Sequence, residues 1–186
     1  MEETAFAKVN LALHVRAREP DGYHRLETVF AFAEDGDRLQ VADAPDLELR
    51  LSGPFASGLG AGEDNLVLRA ARGLAALSGT RRGAALHLDK RLPVASGIGG
   101  GSADAAAALR LLARWWGVEV DPAALEALAR RLGADVPACL ASVTARGTGR
   151  GDRLEPAGLA AAGTPLLLVN PRVPLSTAAV FRAWDG

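Results

Sequence analysis

The sequence contains very few of the residues that support covalent cross-links or multi-ligand metal sites. Cys139 is the single cysteine, which excludes an intrachain disulfide and any site built from several cysteines. No apolar run approaches the roughly 20 residues that span a bilayer, and the amino terminus from Met1 to Lys8 lacks the basic start and apolar core of a signal peptide. We therefore expect a cytoplasmic protein without a membrane partner, in which Cys139 is a buried small residue.

An excess of charge of one sign is also missing. The chain of 186 residues carries 21 basic and 22 acidic side chains, for a net charge of −1. No basic field favours a nucleic acid partner, so a charged ligand needs a local site. An apolar fraction of 49% supports one domain, or one large domain with part of another.

Two extended segments follow each other near the amino terminus. Apolar residues occupy the odd positions from Ala7 to Val15, which predicts a half-buried strand with Lys8 and Asn10 on its polar face. Pro20-Asp21-Gly22 predicts a turn, and a second strand is expected through residues 26–32.

The rest of the chain mixes strand and helix patterns, which predicts an α+β protein. Further strands are expected near residues 38–42, 47–51, 84–92, 142–146 and 166–169. Helices are expected from Asp64-Asn65 to Gly79, after Ser102 to Gly117, from Asp121-Pro122 to Gly133, and from Ser176 through Trp184.

A glycine-rich loop is the strongest motif. Four of the five residues from Gly97 to Gly101 are glycine, between an expected strand and a helix that Ser102 is predicted to cap. Unpaired backbone N–H groups and the helix dipole make such a junction a natural phosphate site. It is not a Walker A motif, because it has no Gly-Lys-Ser/Thr, and Ser102 occupies the third glycine position of a dinucleotide fingerprint. A plain flexible connection stays as the alternative.

The run from Pro93 to Ala105 resembles the P-x-x-x-G-L-G-S-S-A signature of GHMP kinases, with Ile98 in place of the usual leucine. The resemblance implies the amino-terminal GHMP kinase fold, a mostly antiparallel sheet with helices on one side. It also implies ATP and Mg²⁺ as cofactors, with the metal ligands unassigned. The implied ATP-binding residues are Pro93, Val94, Ala95, Ser96, Gly97, Ile98, Gly99, Gly100, Gly101, Ser102 and Asn65.

Three more stretches resemble one branch of that family, the 4-(cytidine 5′-diphospho)-2-C-methyl-D-erythritol kinases. They are residues 7–11, 21–28 and 132–137. This resemblance implies transfer of the ATP γ-phosphoryl group to the substrate 2-hydroxyl, with Asp135 as catalytic base and Lys8 as its partner. On the residues alone, Asp135 is equally well explained as a helix cap and Lys8 as a solvated strand residue.

The same resemblance implies a set of residues for the cytidyl diphosphate methylerythritol substrate. Tyr23 is expected to stack on the base, His24 to hydrogen-bond its edge, and Phe181 to supply a second ring. Asn10 is expected near the polyol or phosphates and Arg150 near the diphosphate. Without the resemblance, Tyr23 and Phe181 are ordinary turn and helix residues.

The chain is shorter than the enzymes it resembles, and it has no match to their carboxy-terminal T-G-x-G motif. Residues 1–164 are therefore expected to form the amino-terminal ATP-binding domain, and residues 165–186 the start of a carboxy-terminal domain that is largely absent. The alternatives are an inactive nucleotide-binding module, or a GHMP kinase for another small alcohol. The sequence does not indicate an oligomeric state.

Overall fold

A long antiparallel hairpin forms the centre of the sheet. The computed structural model describes residues 1–159, 162–171, 173 and 175–185. Strand β1 (Glu2–Arg18) pairs with strand β2 (His24–Ala42) along almost their whole length. Gly22, with a φ of 86°, makes the predicted turn between them, because glycine adopts this conformation without steric cost.

Four more strands extend the sheet from the far edge of β2, and two of them share that edge. Residues 38–42 pair with β4 and residues 26–30 pair with β5, both antiparallel. Strand β3 pairs with β4 in parallel, and β6 pairs with β5 in an antiparallel hairpin. The bounds are Leu47–Ser52 for β3, Ala84–Asp89 for β4, Ala145–Gly149 for β5 and Arg153–Pro156 for β6.

Four of the five described helices form a layer on the apolar face of this sheet, and the fifth, near the carboxyl end, has no buried residue. Helix α2 lies at the centre of the core and contacts α1, α4 and β1. Its run Ala105–Ala108 is fully buried, since small side chains let neighbouring elements approach closely. The bounds are Leu66–Ser78 for α1, Gly100–Trp116 for α2, Pro122–Leu132 for α3, Val136–Ala141 for α4 and Thr177–Arg182 for α5. The predicted α+β fold with a mostly antiparallel sheet is confirmed.

Three predicted helix ends are confirmed by their local chemistry. Asn65 caps α1 by accepting a hydrogen bond from the backbone N–H of Val67, and Gly79 ends that helix with a φ of 70°. Asp121 caps α3 in the same way, with Pro122 as the first helical residue.

Three predictions about helices and strands are wrong. Ser102 does not cap α2, because that helix already begins at Gly100 and its cap is Gly99. Residues 38–42 are not a separate strand but the continuation of β2. The apolar run 166–169 is not a strand; its side chains are exposed, and none of the strands in the described ranges pairs with it.

The alternation predicts that every odd position of β1 from Ala7 to Val15 faces the core. The structure shows that not all of them do. Ala7 is buried, but Leu11 and Leu13 are 52% and 43% exposed. The β1–β2 register shifts between Phe6 and Lys8 and again between Asn10 and Ala12, and such irregularities re-aim the side chains of a strand. Lys8, on the predicted polar face, is buried instead, with 4% of its surface exposed.

Candidate active site

A single large cavity collects almost all the predicted site residues. Its volume is about 1380 Å³, which is above the usual range for small-molecule sites and roughly sufficient for two ligands. One part is lined by the glycine-rich loop, and another by the β1–β2 turn and α5. Of the predicted site residues, Ile98 alone does not line the cavity.

The glycine-rich loop ends in the exposed start of a helix. Gly97 and Gly99 have φ values of 79° and 67°, which side chains rarely adopt. Gly99 is the cap of α2 and contributes no side-chain hydrogen bond, so backbone N–H groups of the first turn lack an intrahelical acceptor. They lie in the cavity wall at Gly100, Gly101 and Ser102. This is the arrangement that binds phosphate oxygens.

Lys8 and Asp135 meet in the cavity wall. The distance from Lys8 Nζ to Asp135 Oδ1 is 3.3 Å, and the Asp135 side chain is 38% exposed. Asp135 precedes α4 but makes no side-chain capping hydrogen bond, so the capping alternative does not account for it. Its carboxylate is open to a ligand and next to a fixed positive charge.

Lys8 is held rigidly. Its Nζ donates to Asn10 Oδ1 at 2.9 Å and lies 5.0 Å from the centre of the Phe30 ring. Asn10 in turn donates to Thr28 Oγ1 at 2.6 Å. The backbone N–H of Lys8 donates to the carbonyl of Ile98 at 2.9 Å. The last contact explains why Ile98 does not line the cavity: its backbone ties the loop to β1.

Aromatic and cationic side chains gather at the β1–β2 turn. Tyr23 is 53% exposed, and the Arg150 guanidinium lies over its ring at 3.8 Å. Arg150 also forms an ion pair with Asp21. This pairing places Arg150 beside the predicted base-stacking residue.

His24 lies deeper, with 7% of its surface exposed. The Phe181 ring stacks on it, with ring centres 5.3 Å apart and planes at 27°. Trp184 approaches edge-on with ring centres at 5.7 Å. The predicted stacking residue Phe181 therefore contacts the predicted edge-reading residue.

Arg18 is a residue of this region that the sequence analysis missed. Its Nε donates to His24 Nε2 at 3.3 Å, and its Nη2 donates to the backbone carbonyls of Arg182 and Trp184. A guanidinium only donates, so Nε2 of His24 is the acceptor and the imidazole proton lies on Nδ1. Arg18 thus orients His24 and fastens α5. An arginine next to a turn carries no sequence signal for either role.

Asn65 is satisfied by helix capping. It accepts from the N–H of Val67 and donates to the carbonyl of Gly60 at 2.8 Å. It lies in the wall of the same cavity as the loop, so its backbone and side chain shape that part of the cavity.

A second missed feature is a buried cluster of charges behind the loop. Lys90 Nζ donates to Asp37 Oδ2 at 2.5 Å and to Asp104 Oδ2 at 2.6 Å. Burial raises the pKa of Asp104 to about 7. Lys90 lies in a predicted strand and Asp37 lies between two predicted strands, and charged residues in such places usually face solvent, so no local signal indicated that either is buried.

Within the described ranges, no group of three His, Cys, Asp or Glu side chains is placed to hold a metal ion. Cys139 is buried as predicted. Burial raises the pKa of its thiol to about 12, so it is not a nucleophile at neutral pH.

Comparisons with known proteins find relatives whose matched regions include this cavity. The family model described as GHMP kinases N terminal domain matches residues 65–142, which include the loop and Asp135. A protein of Sphingopyxis alaskensis named 4-diphosphocytidyl-2-C-methyl-D-erythritol kinase is 53% identical over 189 residues, and the match covers 100% of this chain and 67% of that protein. The chain belongs to the 4-diphosphocytidyl-2-C-methyl-D-erythritol kinase family.

Two further members of this family support the assignment. A protein of Rhizorhabdus wittichii with the same name is 60% identical over 187 residues, covering 98% of this chain and 63% of that protein. A crystal structure of 4-(cytidine 5′-diphospho)-2C-methyl-D-erythritol kinase matches with a TM-score of 0.71 and 44% identity, over 86% of this chain and 56% of that one. The resemblance stated from the motifs is confirmed.

The chain spans about two thirds of the length of these relatives, 63% and 67% for the two proteins. None of the helices in the described part of the chain has the length and apolar character of a membrane span.

Proposed function

We propose that this chain contributes the phosphoryl-transfer site of an ATP-dependent kinase. The substrate is 4-(cytidine 5′-diphospho)-2-C-methyl-D-erythritol, and its 2-hydroxyl is phosphorylated. The observation that carries the proposal is the Lys8–Asp135 pair at 3.3 Å, in a cavity that also contains a phosphate-type loop and an aromatic, cationic region. Two unlike ligands that react with each other require such a shared cavity.

ATP fits the loop region of the cavity. The first-turn N–H groups of α2 donate to phosphate oxygens, and the glycines let the backbone approach them closely. Asn65 and the loop from Pro93 to Ser102 are the proposed ATP-binding residues. Their backbone shapes the site more than their side chains do, which suits a ligand that presents a chain of anionic oxygens.

Mg²⁺ fits this cavity as an ion that arrives on the nucleotide. Such ions keep waters and phosphate oxygens as ligands and need only one or two protein carboxylates, and the cavity wall carries the carboxylates of Glu63 and Asp64 in addition to that of Asp135, which is reserved for the hydroxyl proton. When bound, Mg²⁺ neutralises charge on the transferred phosphoryl group. No protein ligand is assigned beyond this.

Asp135 acts as the base in the proposed reaction. It accepts the proton of the substrate 2-hydroxyl while that oxygen forms a bond to the γ-phosphorus; the bond from phosphorus to the β,γ-bridging oxygen breaks, and ADP leaves. Lys8 keeps a positive charge next to the carboxylate and the attacking oxygen. Because Asn10 and Phe30 hold the ammonium in place, it does not need to reorganise during the reaction.

The substrate end is proposed to bind the cytidyl diphosphate group. Tyr23 provides an exposed ring for base stacking. His24, with its proton on Nδ1, is a donor for acceptor atoms on the base edge, and Phe181 holds His24 from the other side. Asn10, which binds Lys8, is proposed to contact the polyol or the phosphates, and Arg150, beside Tyr23, is proposed to supply positive charge for the diphosphate.

The wider setting of the chain is also a proposal. We propose that it works in the cytoplasm on small molecules, in isoprenoid precursor synthesis by the non-mevalonate route. The division into an ATP-binding domain over residues 1–164 and the start of a second domain over residues 165–186 belongs to the same proposal.

A substrate panel tests the function. Purified chain is incubated with Mg²⁺-ATP and, separately, the cytidyl diphosphate methylerythritol, galactose, homoserine or mevalonate, and ADP and the phosphorylated product are followed by mass spectrometry. We expect product only from the cytidyl substrate. Phosphorylation of another alcohol in preference to it would contradict the proposed substrate. Calorimetric binding of ATP and the cytidyl substrate without turnover would instead identify a nucleotide-binding module.

A further inference from the structure

Three buried charged residues lie directly behind the glycine-rich loop. Asp37, Lys90 and Asp104 are 0%, 3% and 4% exposed, and Lys90 bridges the two carboxylates. We call them the buried triad. They come from three elements: Asp37 from β2, Lys90 from the end of β4, and Asp104 from the start of α2.

The triad holds both ends of the loop. Asp37 Oδ1 accepts hydrogen bonds from the backbone N–H groups of Arg91 and Leu92, at 2.6 Å and 2.7 Å. These residues immediately precede the loop. Asp104 follows the loop on α2 and is bound to the same ammonium as Asp37. The start and the end of the loop are therefore tied to one charge.

The loop backbone lies against the Lys90 ammonium group. A Cβ atom at Gly100 would lie 3.1 Å from Lys90 Nζ and 3.9 Å from Asp37 Oδ2. On its other side the loop touches Lys8: a Cβ at Gly99 would lie 3.0 Å from Lys8 Cε, and Lys8 N donates to the carbonyl of Ile98. The loop is thus fixed between the buried triad and Lys8.

Stability alone does not account for such a cluster. Apolar residues of similar volume stabilise a core as well as a buried ion pair does, since the charges lose their hydration. The triad also leaves Asp104 Oδ1 buried without a hydrogen-bond partner, which is unfavourable. What apolar residues cannot do is accept hydrogen bonds from the backbone at the start of the loop.

We propose that Asp37, Lys90 and Asp104 are positioning residues that hold the glycine-rich loop in the geometry needed for nucleotide phosphates, next to Lys8. The proposal rests on the proposed kinase function for the identity of the ligand. Lys90 and Asp104 reach the cavity wall but are only 3% and 4% exposed, and Asp37 is not one of the lining residues, so none of the three side chains needs to touch the nucleotide. They act through the backbone of the loop, whose N–H groups must converge on the phosphate oxygens.

Asp37→Asn is the conservative test. The amide keeps an oxygen for the N–H groups of Arg91 and Leu92 but removes the charge that binds Lys90. In the ligand-free chain we expect faster hydrogen exchange at the amides of residues 94–102, with exchange in α1 and α3 unchanged. By calorimetry we expect ATP to bind about tenfold more weakly or worse, and CDP, the probe for the cytidyl end, to bind within about twofold of the original affinity.

Gly100→Ala tests the same contact from the loop side. It takes the place of the direct test, Lys90→Met, because that substitution leaves two buried carboxylates unpaired and is expected to unfold much of the chain. The added methyl group presses on Lys90 without removing a charge, so the same selective loss of ATP affinity is expected. Glu126→Gln is the matched control, because it removes one charge from the exposed Glu126–Arg130 pair on α3, and it should change neither readout.

Two outcomes would overturn the proposal. The first is unchanged loop exchange and unchanged ATP affinity in a folded Asp37→Asn chain. The second is exchange that rises equally in the loop, α1 and α3, which would show a general role in stability. Failure of the original chain to bind ATP would contradict the proposed function, and the exchange measurement would still decide the role of the triad.

Discussion

The two regions of the cavity differ in the atoms that line them: backbone atoms in one and side-chain atoms in the other. The part of the cavity at the glycine-rich loop, which we call the phosphate region after its proposed ligand, consists of backbone. The buried charges of Asp37 and Lys90 support it from behind. The part at the β1–β2 turn, which we call the cytidyl region after its proposed ligand, consists of side chains. Tyr23 is 53% exposed there, and Arg150 lies on its ring. Phosphate is common to many ligands and can be bound by N–H groups, whereas a base is identified by individual side chains. We therefore expect substrate selection to reside at the β1–β2 turn, and we expect the Lys8–Asp135 pair to serve both regions.

Asp135→Asn tests the part that both regions share, and the largest effect is expected there. The amide keeps the shape of the side chain but cannot accept the hydroxyl proton, so the rate of phosphoryl transfer should fall by about 10²–10⁴-fold. Rates are measured as ADP release with saturating substrates. Binding of ATP and CDP should stay within about threefold of the original, because neither region is altered. An unchanged rate would remove Asp135 from the mechanism.

Gly99→Ala should disturb the phosphate region and its contact with Lys8, and it should leave the cytidyl region unchanged. The residue has a φ of 67° and its Cβ would lie 3.0 Å from Lys8 Cε, so both strain and contact oppose the change. A strain of about 1–3 kcal/mol corresponds to roughly 5- to 150-fold weaker ATP binding by calorimetry.

Gly97→Ala is the control for this substitution, because its φ is 79° but its Cβ would meet nothing within 4 Å. A smaller loss in Gly97→Ala would assign the difference to the contact with Lys8. Equal losses would show that backbone strain is the whole effect. Equal loss of CDP affinity would break the separation between the two regions.

Tyr23→Leu should disturb only the cytidyl region. Loss of a stacking ring costs about 1–3 kcal/mol per base, so CDP should bind roughly 5- to 150-fold more weakly while ATP binding is unchanged. Tyr23→Phe keeps the ring and should retain most of the affinity. If both variants bind CDP like the original chain, Tyr23 does not stack on the base.

Asp104→Asn should have the smallest effect, seen in the pH dependence of stability. Burial raises the pKa of Asp104 to about 7 from an ordinary value of 3.8, so between these values the folded chain holds more protons than the unfolded chain. The free energy of unfolding therefore falls as the pH rises through this window. Asparagine does not ionise, so the variant should lose this decline.

Thermal unfolding from about pH 4 to pH 8 measures this difference. The midpoint of the original chain should fall relative to that of the variant as the pH rises. Glu126→Gln again serves as a control, since Glu126 lies on the solvent face of α3. Parallel curves for Asp104→Asn and the original chain would show that Asp104 does not titrate in this range.

The sequence predicted the elements whose signals are local. The caps at Asn65 and Asp121 and the end at Gly79 depend on a few neighbouring atoms, and they are confirmed. Local signals failed at Ser102, where the glycines before it had already entered the helix. They failed also at Leu11 and Leu13, because exposure there depends on the register of β1 against β2.

The candidate site shows the same division. Motifs located the loop and suggested Lys8, Asp135, Tyr23 and His24, because each lies in a short stretch of characteristic sequence. Arg18 was missed, since its contacts with His24 and with the carbonyl of Trp184 join parts of the chain far apart in sequence. The roles of the predicted site residues stay predictions until the variants are measured.

By itself the sequence determined the family, the α+β class and the presence of a phosphate-type loop, because these depend on local patterns and short motifs. Only the tertiary structure decided that Lys8 is buried 3.3 Å from Asp135, and that Asp37, Lys90 and Asp104 share one buried charge site behind the loop. The physical reason is that the strength of a charge interaction depends on distance and burial. Neither quantity exists until β1, β2 and α2 have packed together.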